Sequence, residues 1–206
     1  METISVIILA NGDEGRLIRS LDSLQSQESP QLDIVVADCL AQAQAQAPAA
    51  AMLAQRYAGA GNIRYLALPA GSRAGVIFNA AAQLAQGEAI AFWEAGTEAS
   101  PGWAAESIRA LRQTPGASWC YAASTVRRTG RQLPPAGWPD FKKAGKIFSD
   151  IITEWSVPPQ AAVMTLEQLY ALDGFDEDLT ALAAEELLLR LAQSAPAVHI
   201  RTPLLT

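Results

Sequence analysis

The first hundred residues alternate short apolar runs with helix-patterned stretches, and this alternation narrows the fold more than any other feature. Ile4–Leu9, Ile34–Val36, Ile63–Leu68 and Ala89–Trp93 have strand length and strand composition. Between them, Gly15–Gln25 carries Leu17, Ile18, Leu21 and Leu24 at helical spacing, and Gly75–Ala85 carries Val76, Phe78 and Leu84. Strands that are apolar without alternation are buried on both faces, which requires helices above and below the sheet. The pattern therefore predicts parallel strands joined by right-handed helical crossovers.

The remaining elements read less regularly. Ala41–Tyr57 is an alanine and glutamine tract that favours helix, with Pro48 at a helix start or a kink. Pro101 opens a further helix through about Gln113, and Ser118–Val126 reads as one or two strands. Arg127–Ser156 is rich in Pro, Gly, Trp and Lys and has little periodicity, the mark of a functional or mobile loop. Ala161–Thr165 reads as a strand, Leu166–Leu172 as a short helix, Ala181–Ser194 as a helix and Ala197–Arg201 as a last strand.

Composition removes several classes of function. Among 206 residues the net charge is −6, and no basic run exceeds Arg127-Arg128 or Lys142-Lys143, which argues against a nucleic-acid partner. No apolar segment approaches the roughly 20 residues that span a bilayer, and the short N-terminal apolar run lacks a preceding basic region. The expectation is a cytoplasmic protein without a membrane span. Cys39 and Cys120 are too few for a disulfide framework and read as buried small apolar residues, while the single His199 reads as structural. Trp103, Trp119, Trp138 and Trp155 read as packing residues, the last two bracketing the irregular segment.

Ligands of open α/β sheets bind at the carboxyl ends of the strands, so the acids that emerge there matter most. Glu94 ends the run AIAFW, and Asp38 ends LDIVVA. Taken in order, ISVIILANGDEGRLIRSLDSLQSQ, LDIVVADC, IRYLALPAGSRAGVIFNAAAQLAQGEAIAFWEAG and ALDGFDEDL followed by EELLLRLA resemble the family 2 glycosyltransferases over about residues 3–200. The resemblance implies a GT-A-like three-layer sandwich with a mostly parallel central sheet flanked by helices. It implies one domain, residues 1–206, with a nucleotide-sugar-binding half over about 1–100. The acceptor-side half, about 101–206, would include the irregular segment 127–156.

Carried over by position, the resemblance assigns the nucleotide-sugar to Ala10, Asn11, Asp13, Asp38, Arg73, Asn79 and Glu94. Ala10 and Asn11 stand where the family offers a Thr and an aromatic to the base, Asp38 would bind the base edge, and Arg73 would lie near the diphosphate. The family's metal motif is Asp-x-Asp; here it reads Glu94-Ala95-Gly96, with Glu98 two residues further on. Glu94 and Glu98 are the candidate ligands for Mg²⁺ or Mn²⁺, and Gly96 weakens that site, because such ions need oxygen donors. The family's acceptor base is an Asp in an acid pair; the aligned positions are Ala183 and Ala184, which leaves Glu185 as the candidate base. Glu185 and Glu186 equally suit an ordinary acidic first turn of a helix.

Three functions remain open from the sequence. One is an inverting transferase that moves a sugar from a nucleotide diphosphate to an acceptor hydroxyl with an altered, weakened site. A second is a non-catalytic binding or assembly module that retains the fold. A third, a nucleotidyltransferase or simple nucleotide-binding domain, lacks the support of a G-x-G-x-x-G or P-loop signature. Donor sugar, acceptor and oligomeric state are not written in the sequence.

Overall fold

The structure is a computed structural model that describes residues 2–28, 31–39, 48–128, 131–133, 143–154 and 157–206. Seven strands form one sheet in the order β3-β2-β1-β4-β8-β5-β9. These are β1 (Thr3–Ala10), β2 (Gln31–Asp38), β3 (Ile63–Ala67), β4 (Ala89–Glu94), β5 (Trp119–Ser124), β8 (Ala162–Thr165) and β9 (Val198–Leu205). β1 pairs in parallel with β2 and β4, β2 with β3 and β5 with β9, whereas β8 runs antiparallel to β4 and β5. A separate hairpin joins β6 (Val126–Arg128) to β7 (Arg131–Leu133).

Alternate residues of each central strand feed two different cores, which gives the apolar runs their physical reason. Ile4, Val6 and Ile8 of β1 and Ala89, Ala91 and Trp93 of β4 face one core. There they meet Leu17, Leu21 and Leu24 of α1 (Glu14–Gln25), Met52 and Leu53 of α2 (Pro48–Arg56) and Trp103, Ile108 and Leu111 of α4 (Trp103–Gln113). Ile7, Ile90 and Phe92 face the other core. They pack with Ile77 and Phe78 of α3 (Ala74–Ala82), Ile151 of α5 (Phe148–Glu154), Leu169 of α6 (Leu166–Ala171) and Leu187, Leu188 and Leu191 of α7 (Ala183–Ser194). Helices thus cover both faces of a mostly parallel sheet, as the sequence pattern requires.

Large side chains lock the centre of each layer. Trp93 packs on Trp103 with ring centroids 4.9 Å apart, and both are fully buried. On the opposite face Phe78, Phe92 and Phe175 form a triangle of edge and tilted ring contacts at 4.6–5.3 Å. Trp119 is also fully buried, its indole N–H donating to the Ala195 carbonyl at 3.0 Å. His199 stacks on Tyr121 at 4.8 Å, a packing role for the lone histidine. Cys120 is buried, and burial pushes its thiol up to about 12; Cys39 is only half-buried, not buried as expected. Trp138 and Trp155 lie outside the described residues.

Several boundaries differ from the sequence reading for identifiable reasons. Pro101 lies in the turn before α4, and Gly102 in the left-handed region at φ 82° caps that helix. Pro48 opens α2, the first of the two positions the sequence allowed it, where its missing N–H costs nothing. The segment read as irregular contains most of the β6–β7 hairpin and all of α5, the latter held by Ile147 and Ile151, which bury in the same core as α7. β9 runs on to Leu205, past Pro203, through irregular register with β5.

A buried polar latch fixes the amino-terminal edge of the sheet. Asp33 on β2 is ion-paired with Arg64 on β3 and accepts from Ser5 Oγ at 2.6 Å and from the Gln86 backbone N–H at 2.9 Å. Ser5 Oγ in turn accepts from the Gly87 N–H at 2.8 Å, which ties the turn before β4 to β1 and β2. Removing one member strands the others. Asp33→Ala should therefore lower unfolding stability by about 2–3 kcal/mol, read from urea denaturation; an unchanged midpoint would show that the latch is dispensable.

Candidate functional site

Parallel register brings the acids to one edge. Ala10 at the end of β1 pairs with Asp38 at the end of β2, and Leu9 pairs with Glu94 at the end of β4. Asp38 and Glu94 therefore flank the end of β1 from either side, roughly 10 Å apart by two strand spacings. Two cavities open along this edge.

The first, of about 150 Å³, is lined by Ala10, Asn11, Gly12, Asp13, Glu14, Leu17, Asp38 and Ala49. Asp13 caps α1, its carboxylate accepting from the Arg16 N–H at 2.9 Å. Asn11 accepts from the Asp13 N–H at 3.1 Å and donates to the Ala95 carbonyl at 3.3 Å, joining the turn after β1 to the turn after β4. Asp38 is buried and accepts from the Tyr65 hydroxyl at 2.9 Å. Burial first, and the Asp38 carboxylate second, push the Tyr65 phenol well above its ordinary range, so it stays a neutral donor. The pocket thus offers a carboxylate, an amide and an apolar wall of Leu17 and Ala49, a set suited to a flat polar ring.

The second cavity, of about 480 Å³, is lined by Arg16, Arg19, Glu94, Ala95, Gly96, Thr97, Glu98, Thr125, Gln160 and Thr206. Glu94 is exposed at its rim, and Glu98 forms an ion pair with Arg19 at 3.2 Å. Gly96 sits at φ +110°, and its N–H donates to Ser20 Oγ at 2.9 Å. A Cβ at this position would meet the Arg16 Cδ at 3.3 Å. Glycine is therefore what this turn requires: a second acid here would be strained in backbone and crowded by the Arg16 stem. Among the described residues, no group of three or more His, Cys, Asp or Glu could hold a metal ion.

Arg73 and Asn79 line neither cavity and contact the turn at 174–178. Arg73 donates to the Glu177 and Asp178 carbonyls at 3.2 and 3.1 Å. Asn79 accepts from the Phe175 N–H at 2.8 Å and donates to the Phe175 carbonyl and the Glu177 carboxylate, each at 2.9 Å. Gly174, at φ +70°, passes so close that a Cβ would lie 2.5 Å from Asn79 Oδ1. Both side chains thus clamp the 174–178 turn onto α3. Glu185 sits half-buried in the first turn of α7 and lines neither cavity, while its neighbour Glu186 pairs with Arg190 at 2.5 Å. Arg16 and Arg19 are the site residues that sequence reasoning passed over; the available signal was a pair of arginines three apart on the helix that follows the first strand.

A mostly parallel sheet flanked by helices, with acids and two cavities at the carboxyl ends of β1, β2 and β4, has the layout in which open α/β sheets bind their ligands. The match of residues 5–164 to Glycosyl transferase family 2 assigns it further: the chain belongs to that family. Solved structures with the same fold include TarS 1-349 of S. aureus in complex with UDP, at TM-score 0.76 and 16% identity over 98% of this chain and 59% of that one. The complex of TarS 1-349 with UDP-GlcNAc gives TM-score 0.77 and 18% identity over 98% and 57%. The mannosyltransferase PcManGT from Pyrobaculum calidifontis, in complex with GDP-Man and Mn²⁺, gives 0.62 and 18% over 97% and 54%. The chain spans less than three fifths of each of these proteins. No curated protein matches it in sequence. No helix among the described residues is long and apolar enough to cross a membrane.

The geometry of Gly96 yields a direct expectation. Gly96→Asp, which restores the acid of the family motif, should lower stability by about 1–3 kcal/mol in chemical denaturation, the cost of a non-glycine residue at this φ. A fully stable variant that gains Mn²⁺ affinity would show instead that the turn relaxes into a metal site.

Proposed function

We propose that this domain binds a nucleotide diphosphate sugar along the β1, β2 and β4 edge and transfers the sugar to an acceptor hydroxyl. The observation that carries the reading is the pair of cavities on either side of the Asn11 to Ala95 hydrogen bond. In this reading the base enters the smaller one, where Asp38 and Asn11 hydrogen-bond its edge and Leu17 covers its face. The diphosphate and sugar extend into the larger one, where Glu94 accepts from a sugar hydroxyl. The structures with bound UDP, UDP-GlcNAc and GDP-Man support the placement through the shared fold.

Transfer in this site is an inverting displacement. The acceptor oxygen attacks the anomeric carbon, the bond from that carbon to the phosphate oxygen breaks, and its electron pair leaves with the nucleoside diphosphate. The acceptor proton passes to a carboxylate, for which Glu185 is the candidate. One observation favours a second reading, a module that holds the donor without turning it over: Ala183 and Ala184 stand where the family has its acid pair, and Glu185 lines neither cavity.

Isothermal titration with UDP-, GDP- and dTDP-sugars, with and without Mn²⁺, tests the donor site. One nucleotide class should bind in the micromolar range, and Asp38→Asn should weaken it about tenfold or more through the lost charged acceptor. Absence of binding to every nucleotide would remove the donor reading. Release of free nucleoside diphosphate in the presence of candidate acceptors then separates transferase from module, with Glu185→Gln silencing only the former.

A further inference from the structure

We propose that Arg16 and Arg19 bind the donor diphosphate directly, so that this chain holds its donor without a divalent ion. The inference rests on the nucleotide-sugar reading above and names the group that balances the charge of the diphosphate. Both arginines lie on one face of α1 and line the larger cavity together with Glu94, Thr97 and Gln160.

The residues at this edge do not fit a divalent ion. Hard cations bind through several oxygens, and here Glu94 is one exposed carboxylate, Gly96 supplies none, and Glu98 is engaged by Arg19. The space beside Gly96 is filled by the stem of Arg16, with Cδ 3.3 Å from where a side chain would begin. A permanent cation thus stands beside the position where the family motif has its second acid, and it would repel a second positive ion there.

The same two side chains fit a diphosphate. A guanidinium offers a planar fork of donors that matches phosphate oxygens in a bidentate manner and is more weakly hydrated than an ammonium. Arg16 pairs with Asp13 through Nε at 3.4 Å, and Arg19 pairs with Glu98 through Nε at 3.2 Å. The carboxylates of Asp13 and Glu98 lie on the Nε side of the two guanidinium groups and help to orient them. Both side chains are about half exposed, so a ligand can reach them. Two cations facing the diphosphate would also stabilise the charge that develops on it as the sugar departs.

The test is isothermal titration of UDP, GDP and inorganic pyrophosphate into the chain and its variants, in EDTA and in Mn²⁺. The expected result is nucleotide binding that persists in EDTA and weakens with added salt, because exposed charges are screened. Arg16→Ala and Arg19→Ala should each weaken pyrophosphate binding about tenfold or more, with partial recovery in the Lys variants. Glu94→Gln should leave pyrophosphate binding unchanged or tighter, whereas a metal site would lose it. Thermal melting checks that each variant folds; if either Ala variant does not, its Lys counterpart and the salt dependence carry the comparison. Nucleotide binding that requires Mn²⁺, or that ignores both arginines, overturns this inference and leaves the nucleotide reading standing. Failure of every nucleotide to bind in either condition overturns both.

Discussion

The parallel register of β1 with its two neighbours is the constraint on which the rest of the molecule depends. Because Ala10 faces Asp38 and Leu9 faces Glu94, the polar ends of three strands arrive at one edge together. A shift of one residue would turn every buried side chain of β1 toward the opposite layer. Ile4, Val6 and Ile8 fill one core and Ile7 the other, so a shifted strand would have to repack both. Packing in two cores therefore sets the positions of the carboxylates, and the Asp33, Ser5 and Arg64 latch holds the opposite end of the same strands.

The turn after β4 shows how backbone geometry redirects chemistry. Gly96 adopts a φ that an acid resists, and the room beside it is taken by an arginine rather than by an acid and its ion. The change at position 96 and the presence of Arg16 are thus one structural fact seen from two sides. Glu98 adds to it, since its partner is Arg19. The larger cavity consequently mixes two cations with two carboxylates, where an ion-binding site would concentrate oxygen donors.

Much of this architecture was legible in the sequence, and what was missed follows from what each signal reports. Doubly buried strands announce themselves as apolar runs, so β1, β2 and β4 and the helices between them could be read directly, and the family resemblance supplied the layer order. Hydrophobic periodicity says little about Arg127–Ser156, because α5 has only Phe148 and Ile151 packed inward and the hairpin strands have three residues each. Arg16 and Arg19 stand three apart on an amphipathic helix, and it is the register of β1 and β4 that brings this face to the border of a cavity. The resemblance assigned Arg73 and Asn79 to the nucleotide-sugar, whereas the contacts seen at both come from the 174–178 turn, about a hundred residues away, which no local pattern announces.

The proposed nucleoside diphosphate site lies along one sheet edge, with the base beside Asp38 and the phosphates on α1. A crystal structure of the chain grown with UDP or GDP, whichever binds, in the presence of Mn²⁺ measures this most directly. The expected result is the base in the pocket of Asn11 and Asp38, and the phosphates within hydrogen-bond distance of Arg16 and Arg19, without an intervening ion. Phosphates bridged to Glu94 through Mn²⁺, or a nucleotide bound away from this edge, would contradict it.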